Sequence, residues 1–191
     1  MAQVKSRFRN FEGVIVKWGE ARSGSMRGSV PRLGFASEVG PQHPNKGSTW
    51  WSKFMILLTR KADFSAAHFY WNPAWSEEEN ARVFGKCANR QGHGHNYTLE
   101  VTVAGEIDPV SGFVVDLKQL KDIIEREVVS VYDHRHLNFE VPEFERVIPT
   151  TENIAVAIWR RLEGKVEHAK LHRVRVYEMP DLFADFYGEG A

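Results

Sequence analysis

The amino-acid sequence predicts an α+β domain built on an antiparallel, four-stranded sheet with two helices on one face. Apolar side chains alternate at every second position over residues 54–68 and again over 93–103, the period of a strand with one buried face. The period changes to that of an amphipathic helix over 117–131 and 154–162. Turns rather than long crossovers join the strands, so antiparallel pairing is expected.

Each element has its own signature. Phe54, Ile56, Leu58, Ala62, Phe64, Ala66 and His68 mark one face of a long first strand. A polar, acid-rich stretch follows over 72–89, where Ser76 ahead of Glu77, Glu78 and Glu79 predicts a short helix start. His93, His95, Tyr97, Leu99, Val101 and Val103 form the inward side of the second strand. Asp108-Pro109-Val110-Ser111-Gly112 is turn chemistry, and Phe113-Val114-Val115 reads as the returning arm of a hairpin. Asp116 is placed to cap the first long helix, with Gln119 as its capping-box partner. Leu117, Leu120, Ile124, Val128 and Val131 supply that helix's apolar stripe. Thr150-Thr151-Glu152 opens the second helix, whose inner face carries Ile154, Ile158 and Leu162. Two closing strands are expected near 171–179 and 182–187.

The 191 residues are 42% hydrophobic and 26% charged, enough to bury a core without staples, and 25 basic residues balance 25 acidic ones. That neutrality gives no global pull toward nucleic acid. No apolar run reaches the length of a membrane span, and no apolar stretch of a secretory signal follows the basic N-terminus. The one cysteine, Cys87, can form no internal disulfide, which fits a reducing, cytoplasmic setting. The charge balance is uneven along the chain. Residues 1–53 hold nine Lys/Arg against three Asp/Glu, interleaved with Gly, Ser and Pro, and read as a basic, disordered N-terminal extension. Residues 54–191 form the folded domain, and Met55 is an alternative natural start.

The chemistry gathers at strand ends. His93-Gly94-His95 places two imidazoles on one side of a strand, with Gly94 leaving room on the other. His68 ends the first strand on its inward face. If these strands pair, three neutral ring nitrogens converge, a donor set that suits zinc with a fourth position open. The competing reading of each histidine is an ordinary surface or core residue. Cys87 lies in a loop with Lys86 and Arg90, whose charges would favour the thiolate and make it a base or nucleophile. An inert buried thiol or a fourth metal ligand are its alternatives. Asp133 precedes His134 directly after the first long helix, where a carboxylate can hold an imidazole in one tautomer. Glu178 shares the inward side of its strand with Val174 and Val176, a costly place for a carboxylate unless it is paired or meant for a ligand. With Thr150 and Thr151 it could read a flat heterocycle bearing N–H donors.

Taken in order, Cys87 with five residues before His93-Gly-His95-Asn-Tyr, then Gly105-Glu-Ile-Asp-Pro-Val-Ser-Gly112, Tyr132-Asp-His134 and Pro149-Thr-Thr-Glu-Asn153, resemble the 6-pyruvoyl-tetrahydropterin synthase family. Phe64-Ser-Ala-Ala-His68 matches that family's first metal ligand, and the resemblance spans residues 55–189. It implies the tunnelling fold, in which the sheets of several subunits join into a barrel and two trimers stack as a homohexamer. It also implies zinc on His68, His93 and His95, and pterin anchoring by Glu178. Cys87, Asp133 and His134 would form a proton-transfer group shared across a subunit boundary. The implied substrate is a small-molecule pterin triphosphate, 7,8-dihydroneopterin triphosphate, converted to 6-pyruvoyl-tetrahydropterin and inorganic triphosphate without an external redox cofactor. Neither nucleic acid nor membrane is an expected partner. A related branch, the 6-carboxy-tetrahydropterin synthases of queuosine biosynthesis, takes the same substrate and releases acetaldehyde. That branch usually has three residues between the cysteine and His-x-His, where this chain has five. A non-catalytic zinc- or pterin-binding module is a more distant alternative, disfavoured by intact Cys87, Asp133 and His134. Lys86, Arg90 and Arg135 are candidates to hold the triphosphate.

Overall fold

The computed structural model describes residues 54–189, so the expected extension over 1–53 lies outside the described residues. Two strands of 13 residues, β1 (Ile56–His68) and β2 (His93–Gly105), pair antiparallel from Ile56 opposite Gly105 to His68 opposite His93. Between them lies α1 (Glu77–Phe84), capped by the Ser76 side chain, followed by a 3₁₀ turn (Gly85–Ala88). The first long helical segment starts as α2 (Leu117–Ile124), passes through a π-helical turn (Glu125–Val129) and ends in α3 (Ser130–Tyr132). Then come β3 (Arg135–His136), α4 (Leu137–Glu140), α5 (Thr151–Leu162), β4 (Lys170–Met179) and β5 (Leu182–Phe186). The strand order in the sheet is β3-β1-β2-β4-β5. No helix among the described residues is long and apolar enough to cross a membrane.

The core sits on one face of this sheet. Phe64 stands opposite Tyr97, and their rings stack with centroids 4.9 Å apart. Leu99, Val101 and Val103 of β2 and Val174 and Val176 of β4 continue the same face. Leu120, Ile124 and Val128 close over it from the first helical segment, and Ile154, Ile158 and Leu162 from α5. Burying each such side chain contributes about 1.5–3 kcal/mol. The other face is polar. Glu100, only 7% exposed, lies between Lys61 and Arg173 at 2.8 and 2.9 Å, and this pairing offsets the cost of its burial.

Several local expectations are corrected. The sheet is mixed and has five strands, because β3 adds parallel to the outer edge of β1 with Ala66 opposite Arg135. Two polar residues carry no period from which a strand could be read. Residues 113–115 are not a strand: β1 and β4 already occupy both edges of β2, as far as Gly105 and Ala104. The Asp108 turn forms nonetheless, with its side chain accepting from the N–H groups of Val110 and Ser111, and it delivers Val114 and Val115 into buried positions. Asp116 caps α2 by accepting from the N–H groups of Lys118 and Gln119. The Gln119 side chain, however, reaches Glu167 at 3.5 Å, so the capping box is only half made. Leu117 is 43% exposed and falls off the apolar stripe.

Candidate active site

The register of β1 and β2 builds the histidine cluster. His68 lies across from His93, and small Ala66, one pleat back, lies across from His95. Ring centroids are 4.7 Å apart for His68 and His93, 4.9 Å for His93 and His95, and 5.1 Å for His68 and His95. One ring nitrogen from each lies within 4.8 Å of the others. Nδ1 of the buried His68 is 2.9 Å from the carbonyl oxygen of Pro149. A carbonyl only accepts, so Nδ1 carries the proton and Nε2 turns its lone pair to the cluster, 3.2 Å from Nε2 of His93. Burial pushes His68 down to about 4, against the opposing pull of Glu178, and burial lowers His93 as well. Both rings are therefore neutral donors near pH 7. Nε2 of His95 is buried with no hydrogen-bond partner. The neutral His68 and His93 rings beside the orphaned His95 nitrogen fit a divalent metal ion with an open coordination position. No cysteine belongs to the converging group, which sets the fourth-ligand reading of Cys87 aside within this arrangement.

Glu178 arrives beside the cluster because β4 pairs with β2, setting Val176 opposite Leu99 and Tyr177 opposite Thr98. The carboxylate is 7% exposed. Its Oε2 accepts from the Thr151 hydroxyl at 2.5 Å and the Tyr70 hydroxyl at 3.3 Å, while Oε1 lies 3.6 Å from Nε2 of His95. Burial first, and the Glu178 charge second, raise the Tyr70 and Tyr97 phenols far above their ordinary value, so both stay protonated. Thr150 is not brought to the carboxylate; its hydroxyl caps α5 by accepting from the Asn153 N–H.

Cys87 is half-buried in the 3₁₀ turn, which is tied down by the Tyr70 N–H donating to the Cys87 carbonyl at 2.8 Å. Burial first, then the Glu178 charge, pushes the thiol above its ordinary value. The expectation that Lys86 and Arg90 favour the thiolate is overturned. The Arg90 guanidinium lies over the Trp71 ring, 5.0 Å from its centroid, and the charge that reaches the sulfur is negative.

Asp133 and His134 are clipped to β1. Oδ1 of Asp133 accepts from the Ser65 N–H at 2.8 Å, and the His134 N–H donates to the Ser65 carbonyl at 2.6 Å. Oδ2 of Asp133 pairs with Nδ1 of His134 at 2.8 Å. The bond from Ser65 first, and His134 second, hold the Asp133 carboxyl below its usual value, so the carboxylate accepts and Nδ1 of His134 carries the proton. His134 adopts φ +57°, a left-handed conformation uncommon outside glycine. Its side chain is 83% exposed and lines a cavity with Ser65, Ala67, Gly94 and Asn96, and with His95 of the histidine cluster. One chain thus joins Asp133 to His134, but neither hydrogen-bonds to Cys87.

Tyr70, Pro149 and Gly92 also shape the site. A Cβ on Gly92, at φ +78°, would come within 2.6 Å of His136 Nε2 and 3.1 Å of the His68 carbonyl oxygen. Gly94 is not demanded by crowding, since a Cβ there would meet the Ala66 carbonyl oxygen at an ordinary 3.7 Å. A glycine just ahead of the His-x-His strand was a readable turn signal; the Pro149 carbonyl, being backbone, left none.

The family model described as 6-pyruvoyl tetrahydropterin synthase matches residues 57–189. The 6-pyruvoyl tetrahydrobiopterin synthase of Homo sapiens is 43% identical over 132 residues, covering 69% of this chain and 91% of that protein. The Drosophila melanogaster protein of the same name is 41% identical over 135 residues, covering 70% of this chain and 80% of that protein. The solved structure of Caenorhabditis elegans 6-pyruvoyl tetrahydropterin synthase matches with a TM-score of 0.68 at 36% identity, covering 71% of this chain and 96% of that one. With the histidine cluster and its neighbouring carboxylate falling inside the matched span, the chain belongs to the 6-pyruvoyl tetrahydropterin synthase family.

Proposed function

We propose that the chain is a zinc-dependent carbon–oxygen lyase that converts 7,8-dihydroneopterin triphosphate to 6-pyruvoyl-tetrahydropterin and releases inorganic triphosphate. The observation that carries this reading is the buried Glu178 carboxylate, 3.6 Å from His95 at the edge of a three-imidazole cluster. Such a site suits a substrate that joins an N–H-bearing heterocycle to a hydroxylated side chain. His68, His93 and His95 would hold the ion, and zinc there would polarise side-chain hydroxyls and acidify the adjacent C–H and O–H bonds.

The chain's own residues divide the remaining work. Glu178, positioned by the Thr151 and Tyr70 hydroxyls, accepts the ring N–H groups through charge-assisted hydrogen bonds. Cys87 Sγ takes a carbon-bound proton. Because the Glu178 charge helps to hold this thiol up, donors of the bound ring that offset the charge favour the thiolate, and binding primes the base. His134 handles a second proton at Nε2, since Nδ1 is committed to Asp133. We assign the Asp133–His134 pair to the site of a neighbouring copy, in a homohexamer whose sheets join into a barrel. The lack of a hydrogen bond between the pair and Cys87 supports this, as does the outer strand β5, with Leu182 and Phe183 at 44% and 45% exposure. Electron density moved into the ring balances the protons removed, and β-elimination expels triphosphate.

Full-length protein given 7,8-dihydroneopterin triphosphate is expected to form 6-pyruvoyl-tetrahydropterin and inorganic triphosphate, and to carry about one zinc per chain. His93→Ala or His95→Ala should lose the metal. Acetaldehyde with a 6-carboxy product would overturn the pyruvoyl assignment, and full metal content in both variants would overturn the ligand set.

A further inference from the structure

We propose that Arg90 and Arg146 form the subsite that receives the substrate's triphosphate, an inference that rests on the pterin triphosphate reading above. A cavity of about 400 Å³ is lined by Phe69, Trp71, Phe139 and Phe144, with the exposed Arg90 and Arg146 among its walls. It adjoins the histidine cluster through the chain. Phe69 follows His68, Ile148 of the cavity precedes the Pro149 whose carbonyl orients His68, and Arg90 is three residues beyond Cys87. In the proposed pose, the tail of a ring held on Glu178 runs along these connections toward the cavity, whose walls adjoin His68 and Pro149 in the chain.

Most guanidiniums of the described residues are paired with carboxylates, though Arg60 on β1 is not. Arg135 is paired with Glu140 at 3.0 Å, and Arg161, Arg173 and Arg175 are likewise committed to carboxylates. Among the described residues, Arg90 and Arg146 make no ion pair. Arg90 instead lies over the Trp71 ring, its Cζ 5.0 Å from the centroid, a cation–π contact that leaves its N–H donors without a carboxylate partner. That fork of donors matches phosphate oxygens, which a guanidinium binds through charge-assisted hydrogen bonds. Glu145, also on the cavity, is the single opposing charge and leaves the walls net positive. Of the three basic residues adjacent in sequence to the chemistry, Arg135 is spent on Glu140 and Lys86 does not line the cavity, which leaves Arg90.

The test titrates inorganic triphosphate into full-length, metal-loaded protein by calorimetry, with metal content checked before and after. Arg90→Gln and Arg146→Gln should each weaken binding by roughly ten-fold, Glu145→Gln should tighten it several-fold, and Lys86→Gln should change nothing. Binding of dephosphorylated 7,8-dihydroneopterin should be the same in all four variants, and the KM for the triphosphate substrate should rise in both arginine variants with kcat kept. Unchanged triphosphate affinity in the arginine variants, or equal loss for the dephosphorylated pterin, would overturn the subsite. If the expected products form without any arginine dependence, the subsite alone fails. If triphosphate binding depends on the arginines but no pterin product forms, the reaction fails and the anion site stands.

Discussion

A carboxylate at 7% exposure is unfavourable unless it is answered, and Glu178 is answered by the Thr151 and Tyr70 hydroxyls on one oxygen. The other oxygen lies 3.6 Å from Nε2 of His95. Glu178→Gln keeps the shape but exchanges one acceptor for a donor, so dihydroneopterin affinity is expected to fall by roughly 1.5–3 kcal/mol in a calorimetric titration. Unchanged affinity would place the ring elsewhere. Cys87→Ala should lower turnover by about two orders of magnitude. Metal content should stay at the wild-type level, because Cys87 is outside the converging group of ring nitrogens. Metal loss in that variant would make the sulfur a ligand instead of a base. Both residues stood out in the sequence as candidate site positions. The sign of the field on Cys87 was not, since Lys86 and Arg90 are its neighbours along the chain whereas Glu178 is its neighbour in space.

Among the elements, the ends carry the local information. Asp116 satisfies two otherwise orphaned N–H groups at the start of α2, and Asp116→Ala should cost about 0.5–2 kcal/mol in denaturant unfolding, at the same m-value. A change near zero would mean that water caps the helix equally well. On β4 and β5, Arg175 bonds Asp185 through Nε at 2.6 Å and Nη2 at 2.5 Å, and its guanidinium lies 4.1 Å from the Phe183 ring centroid. That partner holds the Asp185 carboxyl below its ordinary 3.8. A depressed folded-state value stabilises the fold in full above the unfolded value and loses that contribution as pH falls through the folded one. The stability gap between wild type and Asp185→Asn should therefore be constant at neutral pH and close only below pH 3.8. A gap that closes at higher pH would assign the effect to another group. Caps and strand periods were readable because they are properties of neighbouring residues. The strand β3 was not, because Arg135 and His136 pair with Ala66 and Ala67 only where β1 offers an unpaired edge.

For the whole molecule, residues 57–189 match the family model and the human relative is covered over 91% of its length, which leaves the basic segment before Met55 outside the matched span. A chain beginning at Met55 should assemble, bind metal and turn over like the full-length protein, as read by light scattering, metal analysis and product formation. Monomers or aggregates would show that the N-terminal segment covers an interface. The sequence by itself determined the two long strands, both long helices with Asp116 as the cap of the first, and the strand faces on which His68, His93, His95 and Glu178 lie. Each follows from a period, a cap or a spacing within a short window, and side-chain direction in a strand is set by alternation alone. Only the tertiary structure decided that residues 113–115 form no strand, that β3 runs parallel, that Thr151 and not Thr150 holds Glu178, and that Asp133 pairs with His134 and Ser65 without a hydrogen bond to Cys87. Those outcomes depend on which strand edges remain open and which charges approach through space, and neither quantity is contained in any run of adjacent residues.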